Sequence, residues 1–434
     1  MDSLHSSFHI DGPVVGRLGG AWAAWHGHGA PAAAALRGQL PYGARVQAAA
    51  AAMAAAAAYL LALRRLPPGG RRLAAALPLL PLNAALPLLF DPSGELLSRA
   101  VATACFTWLA SCKAAALCIN RGPLAAPGMP VLSFCLCYAM PIIPRSREAA
   151  GRAGRLSDSA GSPPHVAAMF AWYSGLVVAL AWLLSKPLPI LLRQWGAAFG
   201  LYAFLCFIMG GAVALLGLVS IEVVPPFDRP WLATSLADFW GRRWNNTVSL
   251  TLRPLFYDPI VEGRLVAPPP PPPAVPVEHS DDASAAAAFA AAAAGAPAPA
   301  GGAPGGGGAA RGPRKQPRAV RSLATLSTFA ASGLFHELLF FYFSEPYVWG
   351  ISNFFLVQVL LTQLELEALN ALKARGAAPP RAARMLLVQA TLLATGYFYF
   401  WPAIDAGDNT GRFVAAVARN ARAAAAALGL RAPV

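Results

Sequence analysis

Long apolar runs alternate with short polar, arginine-bearing connections along most of this chain. The runs cover residues 46–63, 73–90, 100–119, 166–184, 197–219, 323–343, 350–366 and 385–403. A helix rises about 1.5 Å per residue, so each run is long enough to cross the roughly 30 Å apolar core of a bilayer. A ninth stretch, 131–143, is apolar but short, and is expected to dip into the membrane without crossing it. The first run is mostly alanine, and the second is interrupted by Pro78, Pro81 and Pro87. The pattern predicts an all-α, polytopic integral membrane protein of about eight transmembrane helices plus a short membrane-dipping segment.

The polar stretches complete the organisation. Residues 1–45 form a polar, glycine-rich tail with His5, His9, His26 and His28 at no metal-ligand spacing. Transmembrane helices are expected over 46–219 and 319–403, an amphipathic region over 220–266, and a C-terminal tail over 404–434. Between them, 267–318 is a proline-, alanine- and glycine-rich insert whose composition cannot bury enough apolar surface to fold. Arg64, Arg65, Arg71 and Arg72 form one basic cluster, Arg145, Arg147, Arg152 and Arg155 a second, and Lys373, Arg375, Arg381 and Arg384 a third. All three fall on one side only if 131–143 does not cross, and the positive-inside tendency makes that side cytosolic.

Composition adds two constraints. Hydrophobic residues make up 56% of the 434 positions and charged ones 12%, where a soluble domain has about 25%. The net charge of +14 sits in clusters beside apolar runs rather than on a basic face with interleaved aromatics, which argues against nucleic acid as a partner. The six cysteines lie mainly within apolar runs and show no C-x-x-C pair, so neither a metal site nor a disulfide framework is expected.

Two stretches carry candidate chemistry. LATLSTFAASGLFHELLFFYF at 323–343 places His336 and Glu337 near the middle of a spanning segment. Ionisable groups at that depth are costly and usually face a cavity. His336 shares a helical stripe with Ser332, Phe329 and Phe340, and Ala330, Ala331 and Gly333 allow another helix or an acyl chain to approach. The plainer alternative makes His336 and Glu337 a structural pair. The second stretch is PPFDRPWLATSLADFWGRRWNNTVSLTLRPLFYDPIVEGR at 225–264. Ser235 followed by Asp238 marks a helix start. Read on as one helix, Asp238, Arg242 and Asn245 form a polar stripe, and Trp240, Trp244 and Val248 an apolar one. Arg242, Arg243, Arg253 and Arg264 concentrate charge suited to phosphate. Because Arg242 lies at i+4 from Asp238, Arg243 is the better candidate for a phosphate contact.

SLADFWGRRWN at 235–245, LRPLFYDP at 252–259 and SGLFHEL at 332–338, approached by PPFDRPWLAT, resemble the wax synthase branch of the membrane-bound O-acyltransferases. The close match covers about 222–259 and 322–342; elsewhere only hydropathy agrees. The resemblance implies an acyl-CoA-dependent transferase that esterifies a long-chain alcohol in the endoplasmic reticulum, with diacylglycerol or a sterol as alternative acceptors. It places the family's essential histidine on His336 and its second polar residue on Asn245. Trp240, Arg242, Arg243, Trp244, Arg253 and Ser332 are the expected substrate-binding residues. Acyl-CoA is then a cosubstrate, no cofactor or metal is implied, and the expected partners are acyl-CoA, a fatty or other lipid alcohol and membrane lipids, with a homo-oligomer left open. No G-x-S-x-G elbow or nucleophilic cysteine context is present, which favours direct transfer. A transporter or non-catalytic lipid-binding protein is the rival class; internal repeats and paired broken helices, its usual signs, are absent from the sequence.

Overall fold

The computed structural model describes residues 31–145, 163–217, 221, 223–268, 316–344, 349–377, 379–427 and 429. The polar tail up to residue 30, most of the second basic cluster and nearly all of the insert lie outside them. Among the described residues the chain is helical, with one isolated antiparallel bridge, Pro144 to Val223. Seven helices are long and apolar enough to span a bilayer: Tyr42–Leu63, Gly70–Leu89, Leu96–Cys118, Ala167–Leu184, Ile190–Ala212, Arg318–Phe343 and Ile351–Ala374. The protein is a multi-pass integral membrane protein.

The eighth expected span is not among these seven. It is helical, but in three pieces: Arg381–Thr395, a π-helical turn Gly396–Phe400, and Trp401–Asp405. Pro402 cannot donate a backbone hydrogen bond, and Arg381 and Arg384 add charge to the first piece. The expected C-terminal tail also contains structure. Asn409–Ala427 is a helix whose Ala416 and Val417 are buried, and Phe413 meets Phe204 edge-on at 4.5 Å.

The short apolar stretch forms a helix too short to cross a bilayer. Val131–Ala139 is a nine-residue helix with Phe134, Cys137 and Tyr138 fully buried. Its C-terminal carbonyls converge on one ammonium group: Lys113 Nζ donates to Cys137 O at 2.6 Å, Met140 O at 2.8 Å and Ile142 O at 3.1 Å. Lys113 lies five residues, about 8 Å along the axis, from the C-terminal end of Leu96–Cys118. A fully buried ammonium is tolerated because all three donors are satisfied.

One face of the molecule gathers the connections that were expected to lie together. Arg121 pairs with Glu262 at 2.9 Å, Gly69 N donates to Cys118 O at 2.7 Å, and Ala267 N donates to Ile119 O at 3.0 Å. Arg318 meets Glu367, and Ser322 Oγ donates to Gln363 Oε1 at 3.0 Å. The first basic cluster, both ends of the insert and the connection after Ile351–Ala374 therefore share a face. At the opposite end, the terminal carbonyls of Arg318–Phe343 are capped by guanidinium groups. Arg99 Nε donates to Tyr342 O at 2.6 Å and Arg412 Nη1 to Phe343 O at 2.8 Å, which suits the negative end of the helix dipole.

Candidate active site

Arg318–Phe343 forms one wall of a cavity of about 1300 Å³. Its lining residues follow a helical stripe whose polarity changes along the axis. Arg318, Arg321, Ser322, Thr325, Thr328 and Ser332, interrupted only by Phe329, lie on one side of His336, and Leu339 and Phe340 on the other. Facing them are Trp195, Phe199, Tyr202, Leu205 and Met209 of Ile190–Gly217, together with the tryptophan-rich stretch. Trp240, Arg242, Trp244, Asn245, Arg253, Ser332 and His336 all line this space.

His336 is half-buried, and its orientation is constrained from three sides. Nδ1 lies 2.7 Å from Ser332 O. A carbonyl oxygen only accepts, so Nδ1 carries the proton and donates, and in the neutral ring Nε2 holds the lone pair. The ring lies 4.9 Å from Trp108 in an edge-on arrangement and 4.4 Å from Phe355 in a tilted one. Glu337 has a different task. It is buried, and its Oε1 accepts from Gly350 N at 3.0 Å and Ser352 N at 2.8 Å, capping the first turn of Ile351–Ala374. Gly333, one turn earlier, lets that helix come close: a Cβ there would sit 3.1 Å from Ser352 Cα.

The second stretch corrects the single-helix reading. Ser235 Oγ accepts from Asp238 N at 2.9 Å, as the capping pattern predicts. Glu365 adds a second cap, accepting from Leu236 N at 2.6 Å. The helix then passes into a π turn, Phe239–Arg243, and stops. Trp244 is extended, and Asn245 adopts the left-handed conformation, φ 47° and ψ 61°, which Asn tolerates better than most residues. Backbone bonds hold the break open: Asp228 N donates to Arg243 O and Asn246 N to Pro226 O. Asp238, Arg242 and Asn245 thus do not form one stripe. Asn245 is the N-cap of a new helix, Asn246–Leu252, its Oδ1 accepting from Val248 N at 3.3 Å. Its Nδ2 has no protein partner among the described residues.

The arginines also fall out differently. Arg243, expected to be the free one, is the more enclosed of the pair: Nε donates to Asp238 Oδ2 at 2.8 Å and Nη1 to Asp228 O at 3.1 Å. Arg242 meets Asp238 at 2.9 Å but keeps about half its side chain exposed at the cavity, 53% against 18% for Arg243. Burial pushes the Asp238 carboxyl up, but the Arg243 hydrogen bond, the Thr234 N–H and the charge of Arg242 outweigh it and hold it below the ordinary carboxylate range. Arg253 pairs with Asp258 and lies over the Tyr257 ring, and Arg264 pairs with Glu262. The cations at the cavity that make no ion pair or side-chain hydrogen bond among the described residues include Arg321 and Lys373, both exposed at its rim.

Several contributors were not singled out in the sequence. Gln358, fully buried, accepts from Trp240 Nε1 at 3.2 Å and donates to Thr395 Oγ1 at 2.8 Å, tying the tryptophan-rich stretch to two helices. Gln358, Thr362 and Glu365 recur at i, i+4 and i+7 inside an apolar run, a pattern that marks one polar face. Trp108 gave no signal beyond being an aromatic residue in a spanning segment.

The fold and site define a multi-pass membrane protein with one oriented imidazole in a cavity that is basic at one end and apolar at the other. No protein-family model matches the chain. Among curated proteins, it is 26% identical over 299 residues to an acyl-CoA–sterol O-acyltransferase of Arabidopsis thaliana, covering 68% of this chain and 72% of that protein. It is 29% identical over 207 residues to a probable long-chain-alcohol O-fatty-acyltransferase of the same plant, covering 47% of each. To the long-chain-alcohol O-fatty-acyltransferase of Simmondsia chinensis it is 25% identical over 273 residues, 62% of this chain and 64% of that one. The matched region thus spans about half to two thirds of the length of the two alcohol acyltransferases. The resemblance to wax synthases read from the motifs is borne out by these relatives.

Proposed function

We propose that this protein is an acyl-CoA-dependent O-acyltransferase that joins a fatty acyl group to a long-chain alcohol, giving a wax ester, in the endoplasmic reticulum membrane. The observation that carries the reading is the polarity gradient along Arg318–Phe343, with a single imidazole at the point where it changes sign. From Arg321 to His336 is fifteen residues, about 22 Å along the helix, comparable with an extended pantetheine arm. An acyl-CoA lying along this wall puts its phosphates beside Arg321 and Lys373, its amides beside Thr325, Thr328 and Ser332, and its thioester near His336.

The chemistry follows from the tautomer. With Nδ1–H committed to Ser332 O, His336 Nε2 accepts the alcohol proton as the alcohol oxygen attacks the thioester carbonyl. The C–S bond then breaks, the thiolate recovers the proton from the imidazolium, and ester and free thiol leave. General-base assistance of this kind is typically worth about 10²–10⁴-fold. Asn245, through Nδ2, has a donor available for the oxygen that gains charge. The apolar lining beyond His336 excludes water that would hydrolyse the thioester.

A sterol acceptor is the second reading, favoured by the relative named for that substrate. The test is expression in cells devoid of neutral-lipid synthesis, fed separately with fatty alcohol, sterol or diacylglycerol precursor. Wax ester is the expected product. Steryl ester alone would replace the acceptor, and no ester from any feed would defeat the enzymatic reading.

A further inference from the structure

Trp108 lies on a π-helical stretch, Thr103–Ala110, inside the buried span Leu96–Cys118, far in sequence from both motifs. A π turn inserts an extra residue and re-aims the side chains around it, and such turns are frequent at functional sites. Here the re-aimed indole touches both motif-bearing helices. It stacks on Phe335 at 5.6 Å with the rings 7° from parallel, and stands edge-on to the His336 imidazole at 4.9 Å. It also belongs to a cluster with Leu252 and Val248 of the helix that Asn245 caps. Its Nε1–H is buried without a hydrogen-bond partner among the described residues, although buried polar groups nearly always find one. Among the described residues the indole is therefore held by packing.

We propose that Trp108 is a positioning residue, a wedge that holds the imidazole of His336 against Phe355 and fixes its distance from the Asn245-capped helix. Ser332 O fixes one ring nitrogen but leaves the ring free to swing about that bond. Trp108 and Phe355, at 4.9 and 4.4 Å from the imidazole, remove that freedom and keep Nε2 in one direction. Because the indole N–H has no partner to lose, phenylalanine should replace much of this function, whereas leucine and alanine should not.

Two measurements on the full-length protein in membranes test this. The first does not depend on the reaction: diethyl pyrocarbonate carbethoxylates imidazole nitrogen, and peptide mass analysis follows His336 alone. Trp108→Leu and Trp108→Ala should modify several-fold faster than wild type, with Trp108→Phe close to wild type. Equal rates in all four would overturn the wedge. The second rests on the acyl-transfer reading. A misplacement of about 1 Å can cost about 10²-fold, so Trp108→Leu should lower kcat by about 10- to 100-fold with KM for both substrates changed less than about 3-fold. Trp108→Phe should recover most of that loss. If Trp108→Phe were as impaired as Trp108→Leu, the N–H rather than the ring would be in use and the proposal would fail. Should wild type itself transfer no acyl group, that reading falls while carbethoxylation still decides on the wedge.

Discussion

At the scale of single residues, three neighbouring polar groups separate by what each already holds. His336 donates Nδ1–H to Ser332 O, which leaves the lone pair on Nε2; on the proposed general-base role, His336→Ala should lower ester formation by about 10²–10⁴-fold while the protein still accumulates in membranes. Glu337 accepts two backbone N–H groups through one oxygen. Glutamine retains that oxygen, so Glu337→Gln should be the mildest of the changes. Greater damage from Glu337→Gln than from His336→Ala would move the base to the carboxylate. Asn245 offers a sharper comparison because it is both N-cap and candidate donor. Asn245→Asp keeps the capping oxygen and removes Nδ2–H, so activity should fall with unfolding temperature nearly unchanged. Asn245→Ala additionally loses a cap worth about 1 kcal/mol and strains the left-handed backbone. Measuring activity and thermal unfolding on both variants separates the two roles.

At the scale of elements, the tryptophan-rich stretch is a clamped assembly rather than an exposed basic helix. Asp238, with Arg242 and Arg243 on its two oxygens, is the fastening. Arg243→Gln should therefore reduce stability and impair both substrates together, not acyl-CoA alone. Among the described cavity-lining cations, Arg321 and Lys373 make no ion pair or side-chain hydrogen bond and are the candidates for a phosphate contact. Neutralising either should raise KM for acyl-CoA by about 10-fold if it removes about 1.4 kcal/mol, with KM for the alcohol little changed. Equal effects on the two substrates would leave these residues as mere membrane-surface charges. The same fastening implies a pH response. A carboxyl whose pKa is lowered on folding stabilises the fold above its unfolded value, and that contribution disappears as pH falls through the folded one. For Asp238, unfolding temperature in detergent should decline below the ordinary carboxylate range, roughly pH 4 and down. Asp238→Asn should flatten that limb and lower the neutral plateau.

For the whole molecule, the connection that joins the two motifs is anchored at its near end and shares a face with its far end. Asn120 Nδ2 donates to Ala267 O and Pro268 O, so the fixed structure extends two residues past where composition places the start of the insert. Deleting 270–313 and closing with a short flexible linker should leave membrane accumulation and activity near wild type, because loop-closure cost varies only slowly with length. Starting the deletion at 267 should be worse, since it removes the bonds from Ile119 and Asn120. Indistinguishable results from the two deletions would make that anchor unimportant.

Hydropathy and motif spelling by themselves determined the helical, membrane-spanning class and the shared face of the Arg64–Arg72 connection and the two ends of the insert, and they singled out His336 as the candidate for the chemistry. These are local properties: apolar length sets what spans, and an ionisable residue in an apolar run is conspicuous wherever the chain folds. Tertiary structure alone decided the rest. The helix over 235–245 breaks at Asn245 because bonds from Asp228 and Asn246 to distant carbonyls and anchors outweigh its amphipathic period. Arg243 rather than Arg242 is enclosed because the break after the π turn brings it onto Asp238 and the Asp228 carbonyl together, which the helical spacing of the motif does not reveal. Trp108 meets His336 across more than two hundred residues of chain, and an indole in an apolar span looks the same in sequence whether it faces lipid or the reacting group.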